Sequence, residues 1–230
     1  MKPVLLVIGQ PGHAAMRKLE PLRASSETFI SNNQAELLLH APQAEIFLWT
    51  GLGAGSVSLP EVWDRARSLR WIHSLGTGVE KILFPALIDS HIPLTNARGV
   101  FKRSLAEFAL LGILFHTKRV RRLIDNQRSH TWDSFKVQFA DKKVLGIVGF
   151  GSIGRECALL AKGAGLIIHA YQRRPPEIPD PLVDKVFGSD QLHQMLPGID
   201  VLLCVAPLSK DAPLDCRSTV QAHEIDGGGD

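Results

Sequence analysis

Cysteine is scarce in this chain. Cys157, Cys204 and Cys216 are the only three, too few and too far apart for a disulfide framework or a metal-ligand set. Cys157 falls in a helical pattern and Cys204 in a strand pattern, so both read as small buried hydrophobes, and a reducing compartment is expected. Long apolar runs are also missing. None approaches the roughly 20 residues that a bilayer span needs, and residues 1–9 lack the basic, apolar and cleavage regions of a signal peptide. The cytoplasm is therefore the expected location, with no membrane partner. Charge of one sign is not in excess, the formal net charge being +3. The one basic cluster, Lys118-Arg119 with Arg121-Arg122, has no aromatic residues interleaved with it as a base-stacking platform requires. It reads as a solvated helix face, and no nucleic acid is expected to bind. No His, Cys, Asp and Glu set has metal spacing, and no nucleophile–base pair stands out. Neither metal ligands nor catalytic residues are assigned.

What the chain has is alternation. Hydrophobic residues make up 45% and charged residues 21%, ordinary values for a water-soluble globular protein. Short apolar runs alternate with helical patterns, the signature of a parallel α/β sheet. In the first segment, strands are expected at Val4-Ile8, Ile46-Trp49, Trp71-Ser74 and Ile92-Thr95. Helices are expected around Ala14-Leu22, Gln34-His40 and Leu59-Leu69, with Pro60 suited to a first turn. A long helical stretch from about Ser104 to Arg128 follows and looks like a connector. The second segment then gives strands at Val144-Gly149, Leu166-Tyr171, Lys185-Phe187 and Val201-Val205, with a helix at Ser189-Leu196. Those four strands are fewer than the six of a doubly wound nucleotide domain.

The strongest single motif is Gly149-Phe150-Gly151-Ser152-Ile153-Gly154. It follows the apolar run Val144-Val148 and opens a helical pattern at Cys157-Ala161. Three glycines at these positions allow a tight turn, close approach of backbone to a pyrophosphate, and packing of helix on strand. The helix N-terminus offers unpaired N–H groups to the phosphates. A dinucleotide site is expected here.

In order and spacing, further residues resemble those of the D-isomer-specific 2-hydroxyacid dehydrogenases over about residues 45 to 212. Trp71 to Glu80 (WIHSLGTGVE) resembles that family's substrate loop. Asn96 and Gly99, then Ser104-Leu105-Ala106-Glu107, resemble the approach to its interdomain helix. Gln127 and Trp132 match its Q…W pair, Lys142 to Gly154 its "GKTVGIVGLGSIG" run, and Cys204 to Ser209 its "PLT" turn. The resemblance implies a flavodoxin-like N-terminal unit plus an incomplete doubly wound (Rossmann) domain. It divides the chain into a substrate-type domain at 1–100, a connecting and dimer-forming helix at 101–132, a partial NAD(P)-binding domain at 133–212 and a divergent tail at 213–230 expected to be disordered. It implies hydride transfer between a nicotinamide and a small 2-oxo or 2-hydroxy acid, of the glyoxylate or hydroxypyruvate reductase type. The backbone amides of Thr77 and Gly78 would anchor the substrate carboxylate. Ser104 would face the nicotinamide, or serve as a helix N-cap with Glu107. Val205, Ala206 and Pro207 would lie beside the cofactor.

The choice of cofactor turns on the end of the second nucleotide-domain strand. An acid about 20 residues past the glycines would bind the ribose 2′-OH. Here the run is Ile168-His169-Ala170-Tyr171-Gln172-Arg173-Arg174. Gln172 stands in place of the acid, and Arg173 and Arg174 can fork onto a 2′-phosphate, so NADP is expected over NAD. His73 and His169 read as hydrogen-bonded core or edge residues. The resemblance fades at Ala212 or Pro213, before the family's Arg, Glu and His. Arg217, His223 and Glu224 occur in the wrong order and are read as coincidental. The chain thus resembles a C-terminally truncated family member, impaired in turnover. The alternative is an inactive nucleotide-binding or decoy subunit that pairs, as a homodimer or with an intact relative, through the Ser104–Arg128 stretch.

Overall fold

The computed structural model of the chain describes residues 2–55, 57–178 and 180–206. Two compact units divide between Phe101 and Lys102.

The first unit is a five-stranded parallel sheet in the order β2-β1-β3-β4-β5. Its strands are β1 (Val4–Ile8), β2 (Glu27–Ser31), β3 (Ile46–Trp49), β4 (Trp71–Ser74) and β5 (Leu94–Asn96). Every residue of β1 is buried, as expected of a central parallel strand covered on both faces. Leu6, Ile8, Phe47 and Ile72 pack on one side with Leu37 of helix α1 (Gln34–His40) and Val62 of helix α2 (Leu59–Arg65). Leu5, Val7 and Leu48 pack on the other with Met16. A short helix, α3 (Pro85–Ile88), precedes β5.

Several details differ from the sequence reading. β2 (ETFIS) was not expected, because it is an edge strand with only partial burial and no clear alternation. Pairing with β1 makes it a strand, with Leu6 opposite Phe29. The stretch Ala14–Ala24 is a 3-10 helix containing Pro21, whose missing N–H cannot serve an α-helical ladder. α2 stops at Arg65, where Ala66 leaves helical geometry at ψ 70°.

The second unit begins with α4 (Lys102–Thr117) and α5 (Val120–Arg128). The expected single helix is broken because Arg119 adopts φ 50°, in the left-handed region. The chain then folds back: Gln138 N–H donates to Thr117 O (2.9 Å) and Lys118 Nζ to Gln138 O (2.7 Å). This return also reaches the largely exposed basic cluster. The basic cluster does have aromatic neighbours, Lys118 lying over Phe139 and Arg122 over Phe135, contributed from farther along the chain.

A four-stranded parallel sheet follows, in the order β8-β7-β6-β9. Its strands are β6 (Val144–Val148), β7 (Ile167–Tyr171), β8 (Lys185–Phe187) and β9 (Val201–Cys204). Helix α6 (Ser152–Gly163) sets Ala158 and Ala161 against Leu145, Ile147 and Ile168. Helix α7 (Leu192–Met195) helps to cover the opposite face, with Val148, Tyr171 and Phe187. Small alanines let α6 approach the sheet closely, while Met195 fills the irregular space on the other face. Among the described residues β9 is an edge strand, paired only with β6. Cys157 is buried, but Cys204 is exposed at the end of that edge. The expected burial of Cys204 is therefore corrected. Cys216, Pro207 and the tail lie outside the described residues.

Both sheets follow the doubly wound plan, the second with four of its six strands among the described residues. The first has the flavodoxin order 2-1-3-4-5, and the second has 3-2-1-4 of the six-stranded nucleotide-binding order. In such sheets ligands sit outside the carboxyl ends of the strands, where the winding reverses. In the second unit that point lies between β6 and β9.

Candidate dinucleotide site and substrate loop

The three glycines after β6 are there for three different reasons. Gly149 has φ +93°, and a Cβ on it would lie 2.7 Å from the backbone N and Cα of Ala206 and 3.0 Å from the carbonyl carbon of Val205. A side chain is excluded by conformation and by space. A Cβ on Gly154 would run into the backbone oxygen of Gly149 and sit 3.2 Å from Ile147 Cγ2, so this glycine brings α6 down onto β6. Gly151 differs from both. Its φ is −90°, in extended backbone, and no heavy atom of the protein lies within 4 Å of where a Cβ would stand. Nothing in the protein forbids a side chain there; the open space is what a group approaching the backbone from outside needs.

Gly151 caps α6 with no side-chain hydrogen bond. The first bond of the helix runs from Arg155 N–H to Gly151 O at 2.9 Å. The N–H groups of Ser152, Ile153 and Gly154 have no acceptor among the described residues. They form the positive end of a helix dipole pointing into open space, an arrangement suited to a pyrophosphate. The residues present fit such a group.

The turn is held from both neighbouring strands. Gly149 N–H donates to Tyr171 O on β7 (3.1 Å), and Val205 N–H donates to Val148 O on β6 (2.9 Å). Val205 is half-buried and Ala206 exposed, both immediately past β9 and against the turn. Arg173 and Arg174, just beyond β7, are exposed and have no carboxylate partner among the described residues. Gln172 is not free in the same way, since its Nε2 donates to Phe150 O at 3.2 Å. Sequence reasoning treated Gln172 only as a missing acid and overlooked this bond to the turn.

Ser104 is the third residue of α4 and is exposed. The alternative expectation of an N-cap is corrected: the helix starts two residues earlier, and Glu107 bonds to Arg103 Nε (2.8 Å) instead. The turn of α4 that carries Ser104 is tied to the first turns of α6 by Lys102–Glu156 (3.2 Å) and Arg103–Glu156 (3.6 Å). The Lys102 ammonium, aided by Arg103, holds the Glu156 carboxyl below the usual carboxylate range.

Thr77 and Gly78 belong to the first unit, on the loop after β4. Asn96, the last residue of β5, donates from Nδ2 to Thr77 O at 2.6 Å, and Ala97 N–H donates to Gly76 O at 3.3 Å. The N–H groups of Thr77 and Gly78 have no acceptor among the described residues. Asn96 was visible in the sequence as part of a motif. Its task of tying down this loop was not.

His73 Nδ1 meets Thr95 Oγ1 at 2.8 Å. His169 Nδ1, by contrast, is buried without a partner, so the expected hydrogen bond is not formed there; burial, then the nearby Lys185, lowers its pKa. Among the described residues no histidine bonds a carboxylate, and no cluster could hold a metal ion.

A parallel sheet, a glycine turn closed by backbone contacts and an open helix N-terminus are the features of the doubly wound α/β class whose members bind dinucleotides. Residues 110–213 match the family described as D-isomer specific 2-hydroxyacid dehydrogenase, NAD binding domain. Over 207 residues the chain is 24% identical to glyoxylate/hydroxypyruvate reductase A of Serratia proteamaculans, covering 84% of this chain and 65% of that protein. It is 29% identical over 163 residues to the glyoxylate reductase of Thermococcus kodakarensis, covering 66% and 47%. Among solved structures, a probable 2-hydroxyacid dehydrogenase from Rhizobium etli in complex with NADP superposes with a TM-score of 0.74 at 21% identity, covering 91% of this chain and 64% of that one. The chain is therefore similar to the D-isomer-specific 2-hydroxyacid dehydrogenases, with the match to the family's NAD-binding domain running over residues 110–213. It spans about two thirds or less of the length of these relatives.

Proposed function

We propose that this chain carries the dinucleotide-binding and carboxylate-binding parts of a 2-oxo acid reductase that prefers NADP and acts on glyoxylate or hydroxypyruvate. The observation that carries the reading is the glycine turn, where only Gly151 lacks a structural reason within the protein to be glycine. The N–H groups of Ser152, Ile153 and Gly154 hold the pyrophosphate, and Val205, Ala206 and Ser104 border the bound nucleotide. Pro207 belongs to the same set but lies outside the described residues. A bound nicotinamide supplies hydride. The residues of the first unit bind the acceptor: the Thr77 and Gly78 N–H groups hold the carboxylate of the 2-oxo acid, with the loop tied down by Asn96.

Preference for NADP rests on Arg173 and Arg174. Both stand one strand-end away from the glycine turn with no acid to neutralise them among the described residues, and a guanidinium can fork onto a 2′-phosphate. A charge-assisted bond of this kind is worth about 1.5–3 kcal/mol. Calorimetry with NADPH and NADH tests this. NADPH should bind roughly tenfold or more tighter, and replacing both arginines by Ala should remove the difference while leaving NADH unchanged. No binding of either dinucleotide at millimolar concentration would refute the site.

Turnover also needs a clamp for the developing alkoxide and a proton donor, and no histidine–carboxylate pair is present among the described residues. The purified 230-residue chain is therefore expected to bind NADPH but to oxidise it with glyoxylate or hydroxypyruvate no faster than background. Robust oxidation would overturn the impairment.

A second reading, a binding subunit that pairs with a copy of itself or a full-length relative, is favoured by one observation. Leu105, Phe108, Leu111 and Phe115 form an exposed apolar stripe along α4, wider than a solvated helix face normally carries. Co-purification with a relative, or a concentration-dependent dimer, would support it.

A further inference from the structure

Gln172 follows β7 directly. Its backbone N–H donates to Phe187 O on β8 at 3.0 Å, which fixes where its side chain starts. The side-chain amide then reaches the glycine turn, where Nε2 donates to Phe150 O at 3.2 Å. Only the NH₂ end of the amide can face a carbonyl oxygen, so chemistry dictates which way it points. The peptide between Phe150 and Gly151 is trans, and in a planar trans peptide the C=O and N–H point in opposite directions. With its carbonyl drawn toward Gln172, this peptide turns the Gly151 N–H away from β7. That N–H has no acceptor among the described residues. It adds a fourth unpaired donor to the three at the start of α6.

We infer that Gln172 is a positioning residue for the phosphate-binding turn, aiming the Gly151 N–H outward toward a nicotinamide dinucleotide, while discrimination at the ribose is left to Arg173 and Arg174. A carboxylate at this position could accept from a ribose hydroxyl but could not donate to Phe150 O. The amide therefore exchanges a ribose ligand for a brace on the turn. Its donor is committed to the protein, so its contribution is common to NADH and NADPH. The inference rests on the dinucleotide site proposed above.

The test uses the full chain, with binding of NADPH and of NADH measured by calorimetry at neutral pH. Gln172→Met keeps the length of the side chain and removes its donor. Gln172→Glu keeps the shape and restores the acid. Both variants should weaken both dinucleotides about tenfold, the scale of one hydrogen bond that orients a charged ligand, with the NADPH-to-NADH ratio unchanged. In ligand-free Gln172→Met the Gly151 amide resonance should move while the melting temperature holds, a signature that general loosening would not give. Wild-type affinities in Gln172→Met would overturn the inference. So would Gln172→Glu tightening NADH while weakening NADPH, which would make the position a ribose ligand. If the wild-type chain binds neither dinucleotide, the site itself is wrong and the inference falls with it, an outcome visible before any variant is made.

Discussion

Replacing Gly149 and Gly151 separately by Ala separates what the fold requires from what a ligand requires. At Gly149 the new methyl must adopt φ +93° and meet backbone atoms of Val205 and Ala206 at 2.7–3.0 Å. Backbone cannot swing aside as a flexible side chain would. A left-handed conformation costs a residue with a Cβ about 1–2 kcal/mol, and overpacking adds about 1–3 kcal/mol. The sum, about 2–5 kcal/mol, is a large part of the 5–15 kcal/mol that typically holds a domain together. At Gly151 the methyl enters open space from an ordinary extended backbone. Ala is a poorer N-cap than Gly by about 0.3–1.5 kcal/mol, so the loss of stability should stay within about 1.5 kcal/mol, below that expected at Gly149. Dinucleotide affinity should nevertheless fall by about 5- to 150-fold, the binding equivalent of 1–3 kcal/mol of steric overlap. Urea unfolding followed by circular dichroism measures the first effect, and calorimetry with NADPH the second. If Gly151→Ala unfolds the protein as readily as Gly149→Ala, or binds NADPH as tightly as wild type, the assignment of separate duties to these glycines is refuted.

Other expected outcomes follow from single contacts. Asn96→Ala removes the 2.6 Å bond to Thr77 O; it should lower stability by about 0.5–1.5 kcal/mol and broaden or shift the Gly78 amide resonance, and an unchanged Gly78 signal would count against its role. The Ile168 N–H, and then Lys162, hold the Asp184 carboxyl below its ordinary value. A carboxylate depressed in the folded state stabilises above its unfolded pKa and loses that contribution as pH falls through the folded value. Acid unfolding should therefore be less steep in Asp184→Asn, which starts from lower stability at neutral pH. Equal pH profiles for the two proteins would remove Asp184 as a contributor.

Much of the architecture was legible because strongly apolar segments behave alike in any parallel sheet. Val4–Ile8, Ile46–Trp49 and Lys185–Phe187 are strands with the expected bounds, and Gln34–His40 is a helix with the expected bounds, capped by Asn33. The glycine turn was legible for the same local reason, since strand, three glycines and helix are contiguous in the chain. The misses share a cause. β2 is a strand through its partner β1 rather than through its own composition. The long helix breaks at Arg119 as the chain returns over it, and Phe135 and Phe139 reach the basic cluster only through that return.

The amino-acid order alone determined where most of the strands lie and that a glycine turn follows β6, because those are matters of local conformation and of burial along one segment. Only the tertiary structure decided that Gln172 bonds to the glycine turn, that Asn96 ties down the loop after β4 and that Cys204 is exposed. Each depends on atoms brought together from separate strands, and hydrogen bonds between strand ends leave no periodic trace in the sequence that makes them.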